Sequence, residues 1–354
     1  MRYVNILLAF VPLAIVGHFL EWSHGLLFLF SGLSIVPLAV IIGDATEQIA
    51  IYSGPKIGGM LNATMGNVPE LLIGIFAVKA GLFTLVLASM AGSIIGNILL
   101  VLGFSIFLGG LKFKQQTFVK EIARSNFTLL FFAALSVIIP YAFSRAAAGQ
   151  PHITDSVNAF SLGIAVVLLV LYVLGLVFSL VTHRNVFVEH QAHVEDEEPE
   201  TPKWTLKKAI VILAVSTFFV AIASEMLVAT VEDAVRQFGI SEVFVGIILI
   251  PILGNVAEHA SAMIMAVKNK VDISLEIAVG SSMQIALFVA PILVIFSVII
   301  GTPMAYVYTE FQVISVLISI AMSLFVFQDG KTNWLEGVQL IACYGMLALA
   351  FLFL

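Results

Sequence analysis

The sequence predicts an all-α, polytopic membrane protein with eleven transmembrane helices, and two observations support this prediction. Of the 354 residues, 60% are hydrophobic and only 11% are charged, which is too few charges to cover a soluble domain of this size. Apolar runs of about 18 residues or more also recur along the chain, and each is long enough to cross roughly 30 Å of hydrocarbon.

The predicted helices are rich in Leu, Ile, Val, Phe and Ala, and most are joined by short connections. The first is interpreted as a transmembrane helix because no small-x-small cleavage site follows it. The single cysteine, Cys343, excludes an internal disulfide and is expected to be an apolar core residue. The predicted spans are 3–20, 27–52, 57–79, 83–110, 126–144, 157–182, 207–230, 242–267, 273–300, 306–327 and 335–353.

The basic residues predict the orientation of the chain. If the connections alternate between the two sides, one side holds 13 Lys and Arg residues and the other only Lys79, Arg145 and Arg236. The positive-inside rule then places the N-terminus in the cytoplasm and the C-terminus outside, in a plasma (inner) membrane. The acidic run "EHQAHVEDEEPE" (189–200) is expected to be a solvated cytoplasmic linker. The alternative is that its carboxylates attract or sense Ca²⁺ with low affinity.

Two polar motifs recur at a fixed distance in this apolar chain. "GNVPE" at 66–70 and "GNVAE" at 254–258 are 188 residues apart. The Gly-Ser pairs at 92–93 and 280–281 have the same offset. Because matching polar residues are rare by chance in such a sequence, we interpret them as parts of an internal repeat.

The repeat is predicted to be inverted. The motifs fall in the third and eighth predicted helices, so each copy is five helices long and the second enters the membrane from the opposite side, as in many secondary transporters. Upstream, "TEQIA" (46–50) loosely resembles "SEMLV" (224–228). The predicted units are an extra first helix (1–26), a first repeat of helices 2–6 (27–182), an acidic linker (183–206) and a second repeat of helices 7–11 (207–354).

Carboxyl groups deep in the predicted helices indicate the chemistry. No Lys or Arg shares their depth, so these groups must be protonated, hydrated or bound to a cation from outside. Without a cation, neighbouring negative charges would repel one another in a poorly hydrated site, which should then take up protons. Binding Ca²⁺ or protons, but not both, is the logic of an antiporter. The deep acids are Asp44, Glu47, Glu70, Glu225 and Glu258.

The groups around Glu70 and Glu258 are all oxygen ligands, which suit a hard ion such as Ca²⁺. Gly66 with Pro69, and Gly254 with Pro251, are expected to open the helices and free backbone carbonyls. Buried Gly and Ser also serve close helix packing, so the serines gain weight only from the repeat. The further candidate ligands are Asn67, Asn97, Asn255, Gln284, Ser93, Ser281 and Ser282.

Four more residues are candidates for gating or proton relay. Glu47 and Glu225 match only loosely between the repeats, and a gate or cavity-lining role is expected for them. Asp44 has no counterpart in the second repeat. His259 directly follows Glu258 and is a candidate proton relay, with a hydrogen-bonded packing role as the alternative.

With these residues in view, the chain resembles the calcium/cation:proton antiporter (CAX) family of the calcium/cation antiporter superfamily. The matching motifs are "GNVPELLIG" (66–74), "GNVAEHASA" (254–262), "GSIIGNILLVLG" (92–103) and "GSSMQIALFVAP" (280–291). The resemblance implies that Glu70 and Glu258 bind Ca²⁺ and protons in alternation. It also implies that the second and seventh helices slide against the rest.

Three alternatives remain open at this stage. Asn67 and Asn255 favour protons as the counter-ion, whereas a Na⁺-coupled or K⁺-assisted exchanger is the rival among transporters. An intramembrane metal-dependent enzyme is disfavoured because the sequence has no HExxH motif, and a passive channel is disfavoured by the paired carboxyl groups. The expected partners are Ca²⁺, protons and the lipid bilayer, with no cofactor and no nucleic acid, and homo-oligomerisation is left open.

Overall fold

A computed structural model describes residues 6–149, 152–178, 182 and 201–354 of the chain. The predicted acidic run 189–200 lies outside the described residues. So do residues 183–200 of the predicted linker 183–206. In chain order the helices are α1 (Phe10–Phe19), α2 (His24–Met65), α3 (Val68–Lys79), α4 (Phe83–Ile95), α5 (Leu102–Phe113), α6 (Lys120–Ala146), α7 (Ile153–Val177), α8 (Leu206–Phe238), α9 (Glu242–Phe244), α10 (Ile250–Gly254), α11 (Val256–Val267), α12 (Val271–Gln284), α13 (Ala290–Ile299), α14 (Glu310–Phe327) and α15 (Trp334–Phe353).

The protein is almost wholly helical, as the sequence predicts. In the described part of the chain, eight helical segments are long and apolar enough to cross a membrane. Two of them, Phe83–Phe113 and Val271–Ile299, consist of α4 with α5 and α12 with α13, each pair joined by a π-helical turn. A ninth span is formed if the bent pair Glu242–Gly254 and Val256–Val267, with an angle of 63°, is counted as one. Helix α1 has 10 residues and α3 has 12, which are short for a full crossing. The count of eleven spans therefore stays a prediction.

Three predicted spans differ from the observed helices. The non-helical conformation of Gly54, with φ 78°, divides α2 into two helical parts, and the first part agrees with the predicted span 27–52. The predicted spans 57–79 and 242–267 are interrupted at Asn67 and Asn255, respectively. The span predicted to begin at residue 306 begins instead at Glu310, because Thr309 and Gln312 form a capping box there.

Helices α2 and α8 run antiparallel and are joined near both ends. At one end, the Gly25 backbone N–H donates to Gln237 Oε1 at 3.1 Å. At the other, Gln48 Oε1 accepts hydrogen bonds from the backbone N–H groups of Lys203 and Trp204, at 2.7 and 3.2 Å. These contacts connect the first helices of the two predicted repeats to each other.

A short two-stranded sheet that the all-α prediction does not include connects three loops at one end of the bundle. Strand β1 (Gln115–Thr117) pairs antiparallel with β2 (Lys331–Asn333). The buried Gln116 side chain donates to the Ala266 carbonyl at 2.8 Å and to Asn269 Oδ1 at 3.0 Å. This end of the bundle is thus fixed by hydrogen bonds between distant parts of the chain.

The centre of the bundle is formed by close helix contacts that position the polar motifs. A Cβ atom placed on Gly92 would lie 2.5 Å from the Ile247 Cα, and one placed on Gly246 would lie 2.5 Å from the Ala88 Cβ. These two glycines therefore let α4 approach the segment before α10 backbone to backbone. Gly92 precedes Ser93, so this packing fixes the depth of the candidate site.

Candidate ion-binding site

Both "GN" motifs lie where a helix is interrupted. Asn67, with φ −101° and ψ 17°, separates α2 from α3, and Asn255, with φ −95° and ψ 14°, separates α10 from α11. Pro69 lies in the first turn of α3, where its missing N–H removes no helical hydrogen bond. The predicted helix opening is therefore present at both motifs, with nearly the same backbone conformation.

Each interruption places a glutamate in the first turn of a new helix. Glu70 is in the first turn of α3, and Glu258 is in the first turn of α11. The free N–H groups and the dipole of a helix N-terminus favour negative charge at that position. The same local geometry thus supports a carboxylate in both motifs.

The two motifs meet at Glu70 and Gly254. The side chain of Glu70 is only 1% exposed, and neither of its carboxyl oxygens has a hydrogen-bond partner. A Cβ atom placed on Gly254 would lie 2.8 Å from the Glu70 Cδ. The glycine of the second motif therefore makes room for the carboxyl group of the first.

Glu258 completes a pair of carboxyl groups. Its carboxyl group is close enough to that of Glu70 for two negative charges to repel each other, and Ser281 lies within hydrogen-bonding reach of its side chain. Its Oε2 atom is buried without a partner. Within the described part of the chain, neither carboxyl group forms an ion pair with a basic side chain.

Hydrogen bonds between amide and hydroxyl side chains connect the two repeats around these carboxyl groups. Asn67 Nδ2 donates to Gln284 Oε1. Asn97 Nδ2 donates to Ser281 Oγ at 2.9 Å, and Asn255 Nδ2 donates to Ser93 Oγ at 3.4 Å. Since each amide donates through its nitrogen, the Oδ1 atoms of Asn67 and Asn255 are left buried without partners.

The site therefore contains an excess of acceptors. Five buried oxygen atoms on Asn67, Glu70, Asn255 and Glu258 lack a hydrogen-bond donor. Unpaired buried acceptors are costly, and a cation or protons would satisfy all of them together. The donor set contains only carboxyl and amide oxygens, which fits a hard cation.

Turns of π-helix follow the serines of both repeats. Asn97 lies in the π-helical turn Gly96–Val101, and Gln284 immediately precedes the turn Ile285–Val289. Such turns shift the register of a helix and occur frequently at functional sites. They place the Asn97 and Gln284 amides at similar points of the two repeats.

The remaining candidates are arranged differently. Ser282 donates to the carbonyl of Ala278 in its own helix, at 2.9 Å. Glu47 and Glu225 are exposed, unlike Glu70. Asp44 is half-buried, and the charge of Lys203 acts on it without an ion pair between them in the described part of the chain. His259 is half-buried next to Glu258, and the half-buried Gly66 lies in the interruption before Asn67.

The chain is similar to known proteins over nearly its whole length. The profile of the family described as "Sodium/calcium exchanger protein" matches residues 23–181 and 208–353. The Ca(2+)/H(+) antiporter ChaA of Bacillus subtilis is 45% identical over 97% of both chains. The Ca(2+)/H(+) antiporter of Aphanothece halophytica is 42% identical over 98% of this chain and 95% of its own. The chain belongs to the sodium/calcium exchanger protein family and is a multi-pass membrane protein.

Solved structures show the same fold. The structure of native YfkE is 40% identical and covers 99% of each chain, with a TM-score of 0.85. The crystal structure of the H+/Ca2+ exchanger CAX is only 17% identical, yet it covers 99% of this chain and 92% of its own with a TM-score of 0.72. The fold is thus shared beyond close relatives.

Proposed function

We propose that this chain exchanges Ca²⁺ for protons and exports Ca²⁺ by alternating access. The observation that carries the proposal is the pair formed by Glu70 and Glu258, whose buried oxygens have neither an ion pair nor a full set of donors. Relatives at 45%, 42% and 40% identity are named Ca(2+)/H(+) antiporters, which supports the same ions here.

The competition between Ca²⁺ and protons follows from charge. One Ca²⁺ ion neutralises two carboxylates and accepts several further oxygen ligands, such as those of Asn67 and Asn255. When Ca²⁺ leaves, two close negative charges in a buried site repel each other until protons bind. The site is then occupied by Ca²⁺ or by protons, and each carboxyl group is a ligand in one half of the cycle and a proton carrier in the other.

Other groups have supporting parts in the proposal. The amides of Asn97 and Gln284 and the hydroxyls of Ser93 and Ser281 hold the coordinating groups in place. His259 relays protons at Glu258. We assign Glu47, Glu225 and Asp44 to the aqueous approaches or gates, because Glu47 and Glu225 are exposed and Asp44 is only half-buried. Gly66 and Gly254 supply room and backbone oxygens, and Ser282 is a weaker ligand candidate.

Alternating access is proposed to involve α2 and α8 moving together, because their ends are hydrogen-bonded to each other. The two inverted repeats, 27–182 and 207–354, supply one motif each. We place the N-terminus and the acidic linker in the cytoplasm and the C-terminus outside, in a plasma (inner) membrane. A relative from Schizosaccharomyces pombe that is 37% identical is named a vacuolar calcium ion transporter. Localisation of the protein by immunofluorescence or membrane fractionation therefore tests the assignment to the plasma membrane.

The experiment is Ca²⁺ flux in proteoliposomes driven by a pH gradient in the absence of Na⁺. We expect Ca²⁺ to accumulate against its gradient and the accumulation to collapse when a protonophore is added. Strict dependence on Na⁺ would instead support the Na⁺-coupled alternative, and purely downhill flux would support a channel. Empty liposomes and a Glu70→Gln variant provide the controls.

A further inference from the structure

Most buried hydroxyl groups in these helices are satisfied locally. Ser89, Ser136 and Ser323 each donate to the carbonyl three residues earlier, at 2.8, 2.7 and 2.8 Å, respectively. In a membrane helix, where water is absent, this local bond is the usual way to satisfy a hydroxyl. A buried Ser or Thr that lacks it is therefore an exception that needs an explanation.

Thr46 and Ser224 are two such exceptions. Their side chains are 1% and 0% exposed, and neither hydroxyl has a hydrogen-bond partner. They are the first residues of "TEQIA" in α2 and "SEMLV" in α8, the two stretches that match loosely between the predicted repeats. Among the described helices, four buried Ser or Thr hydroxyls lack a partner, and three of them lie on α2 and α8.

Thr46 lies close to the second motif along α2. A Cβ atom placed on Gly43 would be 3.9 Å from the Ala257 Cβ, and Ala257 directly precedes Glu258. Thr46 follows Gly43 by three residues, which is less than one helical turn. Thr46 is thus about one helical turn along α2 from the point where α2 packs against α11, the helix that carries Glu258.

Ser224 has the corresponding relationship to the first motif. Val220, one turn before Ser224, belongs to a buried cluster with Val68, which lies two residues before Glu70. Helices α2 and α8 therefore each carry a hydroxyl without a partner, on Thr46 and Ser224, respectively. Each hydroxyl lies about one turn from a residue that packs against the motif containing Glu258 or Glu70.

The two sets of unpaired groups are complementary. The ion site has acceptors without donors, whereas Thr46 and Ser224 are donors without acceptors. We propose that Thr46 and Ser224 are positioning residues whose hydroxyls donate to Glu258 and Glu70, respectively, in another access state of the transport cycle. Movement of α2 and α8 along the motif helices brings each donor to its acceptor and stabilises that state. This inference rests on the proposed exchange function.

The test uses Thr46→Val and Ser224→Ala, which remove a hydroxyl and preserve most of the packing. In proteoliposomes, we expect each variant to exchange Ca²⁺ several-fold more slowly and the double variant to lose more. Thermal stability in detergent should be unchanged or higher, because a buried hydroxyl without a partner is removed. Thr46→Ser should restore most of the exchange rate, since it keeps the hydroxyl and deletes only a methyl group.

Ser105→Ala is the matched control. Ser105 is 0% exposed and its hydroxyl also lacks a partner, but it lies on α5 and not on either long helix. Wild-type exchange in both Thr46→Val and Ser224→Ala would overturn the inference, as would an equal loss in Ser105→Ala or a failure of Thr46→Ser to restore the rate. Thr46→Ala replaces Thr46→Val if the latter does not fold.

The wild-type protein distinguishes this inference from the function on which it rests. If wild-type protein shows no proton-driven Ca²⁺ exchange, the proposed function fails and the inference fails with it. If the wild-type protein exchanges normally and the hydroxyl variants match it, only the inference is overturned.

Discussion

The carboxyl group of Glu70 lies against the backbone of Gly254, so that the acid of one motif occupies the space left by the glycine of the other. This contact joins residues 184 positions apart in the chain. It explains why a glycine is needed in the second motif beyond its effect on the helix. The carboxyl group of Glu70 requires space that any Cβ atom would fill.

The first prediction concerns this contact. Gly254→Ala should lower Ca²⁺ exchange by about tenfold or more, equivalent to at least about 1.4 kcal/mol, because the new methyl group displaces the Glu70 carboxyl group. Initial rates of Ca²⁺ uptake in proteoliposomes measure the effect. Gly280→Ala is the control, since a Cβ atom there meets nothing within 4 Å. Equal rates for the two variants would show that the contact does not matter for transport.

The second prediction concerns the hydroxyl beside Glu258. Ser281→Ala should weaken Ca²⁺ binding by roughly 0.5–1.5 kcal/mol, the usual net value of one hydrogen bond, because Ser281 links Asn97 to Glu258. Equilibrium binding of radioactive Ca²⁺ to purified protein measures the affinity.

Ser89→Ala is a close control for that substitution. Ser89 and Ser281 are both 3% exposed, but Ser89 donates to the Val86 carbonyl of its own helix. Its loss should leave Ca²⁺ affinity near the wild-type value. If both substitutions weaken binding alike, the effect of Ser281→Ala arises from general packing.

The third prediction concerns the connection between α2 and α8. Gln48→Leu should lower the free energy of unfolding by roughly 1–3 kcal/mol, because the backbone N–H groups of Lys203 and Trp204 lose their acceptor. Thermal unfolding in detergent measures this loss. Tyr52→Phe removes only the bond from an exposed hydroxyl to the Trp204 carbonyl and should have a smaller effect. If Gln48 were dispensable, Tyr52→Phe would destabilise the protein more than Gln48→Leu.

The fourth prediction concerns the small sheet. Gln116→Leu should destabilise the protein by roughly 1–3 kcal/mol, since the Ala266 carbonyl and Asn269 Oδ1 lose a buried donor. Ca²⁺ affinity should stay near the wild-type value, because this end of the bundle is away from the carboxyl pair. Unfolding and Ca²⁺ binding are measured on the same preparation, and a large loss of affinity without destabilisation would contradict the structural role.

The candidate site was largely predictable from the sequence because its signals are local. A polar motif repeated at a fixed offset in an apolar chain identified the Glu70 and Glu258 pair, and the neighbouring glycines and prolines indicated the helix interruptions. The chemistry of the ligands followed from residue type. None of these steps required knowledge of which helix contacts which.

The features that the sequence did not reveal depend on tertiary packing. Glu47 and Glu225 lie in apolar helices, but only the packing of α2 and α8 decides that their side chains are exposed. Strands of three residues, such as β1, are too short to show an alternating pattern. Whether the hydroxyls of Thr46 and Ser224 have an acceptor also depends on how the helices pack, so the sequence alone does not show that both lack one.

If Ca²⁺ and protons compete for Glu70 and Glu258, Ca²⁺ binding must release protons from these carboxyl groups. Calorimetric titration of Ca²⁺ into the purified protein, repeated near neutral pH in buffers with different ionisation enthalpies, counts the protons released. We expect the wild-type protein to release protons, and we expect Glu70→Gln and Glu258→Gln variants that remain folded to lose both proton release and Ca²⁺ binding. Ca²⁺ binding without proton release, or unchanged binding in both variants, would contradict this competition.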